Sequence, residues 1–116
     1  MSFKSDDLPA PYVGEFEMLV LLAILRLGSD AYGVTIRAEL ERETSRETTM
    51  GAIYKTLGRL EQKGYVSTVI GEPTAQRGGR RKKLYRVEPF GRRAVRQSMT
   101  DLRRLTRGLG PALELP

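Results

Sequence analysis

Apolar residues crowd the stretch 15–27, at Phe16, Leu19, Val20, Leu22, Ala23, Ile24 and Leu27. Stepped at helical spacing they cover more than one stripe, which predicts a helix buried on several sides. Glu15 and Glu17 suit the positive end of that helix, and Gly28 stops it. The stretch 32–43 is sparser. Gly33, Ile36 and Leu40 fall on one side, Asp30 is the expected N-cap, and Glu39, Glu41, Glu43, Arg37 and Arg42 read as a solvated face. A short polar connection, 45–48, leads to a third helix over 49–63, capped by Thr48 or Thr49 and ended by Gly64. Its inward side is Ile53, Leu57 and Leu60, and its outer side is Thr48, Ala52, Lys55 and Arg59, with Gly51 and Lys63 at the margins.

The pattern then changes to β-branched and aromatic residues over 65–70 and again over 84–88, which predicts two strands. The thirteen residues between them, 71–83, are too many and too glycine-rich for a tight hairpin, so a mobile loop is expected there. Pro89 and Gly91 mark a boundary, and a fourth helix reaches about residue 109, where Gly108, Gly110 and Pro111 end it. That helix carries Val95, Met99, Leu102, Leu105 and Leu109 at helical spacing, with arginines over much of the rest. An apolar seam on a terminal helix needs a covering surface: its own domain or the same helix of a second chain. The second chain is expected, with Leu19 and Leu22 of the first helix also in the dimer contact. The predicted fold is mainly α with a small β-hairpin, a winged helix-turn-helix plus a C-terminal dimerisation helix. Its parts are a flexible arm over 1–13, a winged helix domain over 14–89 and the dimerisation helix over 90–110.

Charge sharpens this picture. Residues 1–76 carry 8 Lys/Arg against 11 Asp/Glu, whereas residues 77–116 carry 12 against 3, so the net +6 is concentrated in the second part. Such a distribution suits a surface that meets a polyanion. The run Arg77, Arg80, Arg81, Lys82 and Lys83 lies between the two strands, where a wing would present it to phosphates. On the third helix, small residues permit close approach to base edges, and Lys55 and Arg59 can reach guanine acceptors or the backbone. Cysteine and histidine are both absent, which removes disulfides, thiolate or imidazole metal ligands and the commonest general base. The scattered carboxylates form no catalytic constellation. Neither an enzyme nor a cofactor or metal site is expected. No apolar run approaches the roughly 20 residues that span a bilayer, and residues 1–11 lack a signal-peptide core, so a cytoplasmic protein is expected.

Three segments stand out: Ala31-Tyr32-Gly33-Val34-Thr35-Ile36 after a Leu-rich helix, Gly51-Ala52-Ile53-Tyr54 continuing through Leu57, Arg59-Leu60-Glu61 and Gly64 to Val66, and Arg80 to Val87 with Gly91. Together they resemble the PadR-like winged-helix transcriptional regulators. The likeness spans about 15–105. It implies a dimeric bacterial repressor that binds an inverted-repeat DNA operator through the third helix and the wing. It also implies that Tyr32 and Tyr54 stand near the DNA backbone, and that a small aromatic effector, if one acts, binds between the first and fourth helices. Thr49, at the start of the third helix, is expected among the DNA-binding residues as well. Lys55 stands where many members carry proline, and Pro89-Phe90 replaces their polar residues before Gly91. Two other readings stay open on the residues alone: a winged helix docking an acidic protein partner, and RNA binding, for which no aromatic stacking platform is offered.

Overall fold

A computed structural model of the chain describes residues 12–73 and 81–116. The first helix, α1, is Glu15–Leu27, and a single 3-10 turn, Gly28–Asp30, separates it from α2, Gly33–Glu43. Glu17 accepts the Gly14 N–H at 2.8 Å and so closes the first turn of α1. The α2 start is built differently from the expected Asp30 cap. Tyr32 is the N-cap, its N–H donates to the Thr35 hydroxyl at 3.0 Å, and Asp30 contributes only its carbonyl as an acceptor for that hydroxyl. The third helix, α3, is Met50–Gln62, and of the two candidate caps it uses Thr49, whose hydroxyl accepts the Ala52 N–H at 3.1 Å.

Strands β1, Val66–Pro73, and β2, Arg81–Val87, pair antiparallel with Val66 opposite Val87 and Ile70 opposite Lys83. The ladder extends beyond both predicted strands. Gly71 to Pro73 and Arg81 to Lys83, expected in the loop, belong to it, with an irregularity between Ile70 and Pro73 that places one extra residue on β1. Polar and basic residues read as loop by composition, yet a two-stranded ribbon with one solvated face accepts them. The centre of the expected loop, 74–80, lies outside the described residues, as does most of the expected arm, 1–11. The arm's last residue, Val13, is 6% exposed and sits in the core, a correction to the expected boundary at 13.

The core gathers Val20, Leu21, Ala23 and Ile24 of α1 with Ile36 and Leu40 of α2 and Ile53, Leu57 and Leu60 of α3. Each such side chain contributes about 1.5–3 kcal/mol by leaving water. α1 packs against α2, α3, β2 and the fourth helix, as its wide apolar coverage predicts. The hairpin closes the core with Tyr65, Val66, Tyr85 and Val87, and the Tyr85 N–H donates to the Ala31 carbonyl at 2.8 Å, tying β2 to the α1–α2 connection.

The fourth helix, α4, is Pro89–Thr106, and a one-turn helix α5, Gly110–Leu113, follows. Gly110 and Pro111 therefore begin a turn rather than end α4, which stops three residues earlier than expected. Pro89 takes the first helical position, where its missing N–H costs nothing. The Phe90 ring packs on Tyr65 with centroids 5.2 Å apart. A Cβ at Gly91 would lie 2.4 Å from the Tyr65 carbonyl oxygen, so this crossing of α4 over the hairpin base requires glycine.

Two carboxylates hold elements together. Glu39, expected on a solvated face, is 5% exposed and paired with Arg26 of α1 at 2.6 Å and with Arg42. The Arg26 hydrogen bond, more than burial opposes it, keeps the Glu39 carboxyl below its ordinary range. Burial pushes Glu17 up, but hydrogen bonds from Lys63 (2.8 Å) and Gly14, with the fields of Lys63 and Arg59, outweigh it and leave the group lowered. Both lowered groups stabilise the fold fully above the unfolded-state value, about pH 4.3, and lose that contribution as pH falls through the folded values. Thermal unfolding from pH 7 to pH 3 should show a steep loss of midpoint at the acid end, and Glu17→Gln with Glu39→Gln should start lower and decline less. An unchanged slope in the double variant would place the acid sensitivity elsewhere.

Candidate nucleic-acid interface

The Thr49 cap and the inward row of Ile53, Leu57 and Leu60 fix the rotation of α3, and Thr56 joins that buried row. Ala52, Lys55, Arg59 and Gly51 consequently stand in solvent along the outer side. Lys63 does not share that side. Its ammonium turns to Glu17 and lies 5.5 Å from the Tyr12 ring centroid and 5.6 Å from that of Tyr65. Thr49 spends its acceptor on the cap. Thr48 is half-buried and its N–H donates to Glu41 at 3.3 Å, so this residue anchors the α2–α3 connection.

The start of α2 and the base of the hairpin meet this helix. The Tyr54 ring, 52% exposed, lies against the backbone of Gly33: a Cβ there would sit 2.5 Å from the Tyr54 hydroxyl. Lys82 places its ammonium 4.4 Å from the centroid of the Tyr32 ring, an attraction worth about 0.5–1 kcal/mol at an exposed site. Lys83 faces the other way, 3.7 Å from Glu61 of α3 and 5.8 Å from the Tyr85 ring. Burial, then the field of Glu61 and the neighbouring Tyr54, raise the Tyr85 hydroxyl and keep it neutral. Arg81 is exposed at the first position of β2, opposite Pro73. Arg77 and Arg80 lie outside the described residues.

Tyr32, Tyr54, Lys55, Lys82 and the outer side of α3 thus form one polar and aromatic surface with lysine at two edges. Such a surface can offer hydroxyl and ammonium donors to phosphates while α3 approaches base edges. Gly33 is the supporting residue that periodicity assigned only to the inward face. Its second role depends on a tyrosine 21 positions away, and no local signal carries that. Gly33→Ala is expected to cost little stability, because the exposed Tyr54 ring can swing, but to weaken duplex binding several-fold by displacing the hydroxyl. Fluorescence anisotropy with a labelled duplex checks this, and loss of the fold instead would show that the ring cannot move.

The expected dimerisation residues divide. Leu19 and Leu22 are half-buried against the core, and Val95 is a core residue of its own domain rather than part of a free seam. Beyond it Met99 and Leu102 are each 47% exposed and Leu105 is 74% exposed, with Leu109 also open. The far part of α4 does not fold back. It projects, and the radius of gyration is 16.7 Å against about 13 Å for a compact chain of this length. Between the start of α1 and α4 lies an open groove lined by Tyr12, Gly14, Met18, Gln97 and Leu102, where the expected effector would sit. Among the described residues no group of His, Cys, Asp or Glu could hold a metal ion, and no helix is long and apolar enough to cross a membrane.

Residues 21–97 match the transcriptional regulator PadR-like family. No curated protein sequence matches the chain. A transcriptional regulator from Clostridium thermocellum is similar in structure at a TM-score of 0.66 and 22% identity, over 82% of this chain and 86% of that one. A PadR family regulator from Clostridium difficile aligns at 0.67 and 20% identity, over 84% and 98% of the two chains. One from Eggerthella lenta aligns at 0.64 and 24% identity, over 88% of each. At these identities the likeness speaks for the winged helix fold alone.

Proposed function

The chain belongs to the PadR-like family of transcriptional regulators, and from that membership we propose that it is a homodimeric repressor acting in the cytoplasm of a bacterial cell on an inverted-repeat operator. The observation that carries the finer reading is the orientation of α3. Its whole apolar side is spent on the core, while Ala52, Lys55 and Arg59 face solvent beside Tyr32, Tyr54 and Lys82. The outer side of α3 lies in the major groove, and the hairpin tip, with Arg77, Arg80 and Arg81, meets the flanking backbone. The α2 start adds hydroxyl contacts to phosphate. Helix α4 pairs through Met99, Leu102 and Leu105, with Leu109 just beyond its end, and sets the two copies of α3 about one helical turn, roughly 34 Å, apart. Repression follows sterically, since a dimer seated over a promoter excludes other proteins from the same groove.

Footprinting against genomic fragments tests this. The expected result is a protected site with two-fold symmetry, and uniform, sequence-blind protection sinks the specific version. Absence of any duplex binding near 50 mM salt, where non-specific binding is strong, would favour an acidic protein partner for the same surface. Arg59→Ala should cost on the order of 1–3 kcal/mol on the operator and relax one base position if the guanidinium reads a base. Equal loss on operator and random duplex would assign Arg59 to the backbone.

A further inference from the structure

The arginines of the described residues fall into two sets. Arg26, Arg37, Arg42 and Arg46 each pair with a carboxylate. Among the described residues no carboxylate pairs with Arg59, Arg81 or Arg86, on α3 and the hairpin, or with any of Arg92, Arg93, Arg96, Arg103, Arg104 and Arg107 along α4 and its C-cap; all six of the latter are exposed. Stepped at 100° per residue those six occupy an arc of roughly 120°. Its centre is opposite the side that buries Gly91, Ala94 and Val95 and exposes Leu102 and Leu105. Between Arg92 and Arg107 Thr100 is the other residue within the arc, and Asp101 lies outside it, engaged by Gln97 at 3.0 Å. Arg92 with Arg96, Arg93 with Arg96, Arg103 with Arg107 and Arg104 with Arg107 are like-charge neighbours at three or four positions. Such pairs disfavour an isolated helix, and no carboxylate of the described residues relieves them.

We propose that this arginine face of α4 is a second contact surface for duplex DNA, separate from α3 and the wing, by which one dimer holds more than one segment of DNA. The inference rests on the dimer and the DNA binding proposed above. Pairing through the apolar side leaves the arginine side open in both copies. From Arg92 to Arg107 the helix rises roughly 22 Å, a length over which one strand of B-DNA presents about six phosphates. Arginine is also the side chain best matched to phosphate, through its planar fork of donors. The face is out of reach of the operator itself, because α4 packs on α1 and the hairpin base on the side of the domain away from the outer side of α3. A protein held on DNA meets other segments of the same molecule at high effective concentration, so modest affinity suffices.

The test counts duplexes per dimer by analytical ultracentrifugation with a fluorescent random-sequence duplex of about 20 bp near 50 mM salt. The wild-type dimer should take more than one duplex, up to three: one across the two α3 helices and one on each α4 face. The variant Arg93→Gln, Arg96→Gln, Arg103→Gln, Arg104→Gln should saturate at one, with unchanged dimer mass and helix content and a first-duplex affinity within about twofold of wild type. A wild-type stoichiometry of one overturns the inference and leaves the operator reading intact, whereas no duplex bound at all removes both. A variant that still takes more than one duplex overturns it as well. Displacement of the duplexes beyond the first by poly-glutamate and by unlabelled duplex at equal charge concentration would make the face a dock for acidic protein and overturn the assignment to DNA.

Discussion

Leu102→Glu with Leu105→Glu is expected to yield a folded monomer of 13.0 kDa that binds operator DNA at least about 100-fold more weakly than wild type. The size of the effect comes from linkage: joining two recognition elements multiplies affinity by roughly 10²–10⁴, and separating them forfeits that factor. Both leucines lie beyond Val95, the last buried residue of α4, with Leu102 only lining the open groove beside α1 and Leu105 clear of it. The substitutions therefore remove no core contact, and circular dichroism should show unchanged helix. In the dimer each leucine counts twice by symmetry, at about 1.5–3 kcal/mol per buried side chain. Glutamates would also face their own symmetry mates beside Asp101. Sedimentation equilibrium decides the matter, and a variant that remains dimeric, or a wild-type protein that is itself a monomer, refutes the seam.

Replacing Arg77, Arg80, Arg81, Lys82 and Lys83 together by alanine is expected to weaken binding to operator and random duplex alike and to flatten the salt dependence. With Lys83 held at Glu61, the expectation counts the other four charges as phosphate contacts. At roughly 0.9 in log–log slope per phosphate contact, the slope should fall by about 3.6 per half-site, equivalent to about 100-fold less sensitivity between 50 and 200 mM salt. The ratio of operator to random affinity should hardly move, since backbone contacts carry no sequence information. Fluorescence anisotropy titrations at several salt concentrations measure both quantities. A steep slope retained in the variant would remove the wing from the DNA, and a collapsed ratio would mean that the wing reads bases.

Much of this was legible in the chain. The bounds of α1 and the inward row of α3 follow from spacing alone, because a helix of period 3.6 must bury whatever apolar residues recur at that period. The hairpin was legible in kind but not in extent. Its outer half carries Lys82, Arg81 and Pro73, whose composition resembles a loop, and only cross-strand pairing makes them a ladder. Glu39 was misread because its partner, Arg26, stands on another helix 13 positions away. Lys63 was misplaced for the same reason, since Glu17 is 46 positions distant. In each case a charged residue looked solvated until tertiary contact supplied an opposite charge, and burial of a charge is tolerable only with such a partner.

The sequence by itself determined the winged helix fold, the amphipathic division of α3 and the concentration of positive charge after residue 76. These are local or additive properties, set by periodicity and composition. Only the tertiary structure decided which cations are already spent. It commits Arg26, Arg42, Lys63 and Lys83 to carboxylates and leaves Lys55, Arg59, Lys82 and the α4 arginines without one among the described residues. It decided also that the apolar side of α4 is buried on its own domain only as far as Val95 and lies open from Met99 onward. The physical reason is common to both: which groups meet depends on how helices cross, and residues far apart in the chain become neighbours only when the core beneath them closes.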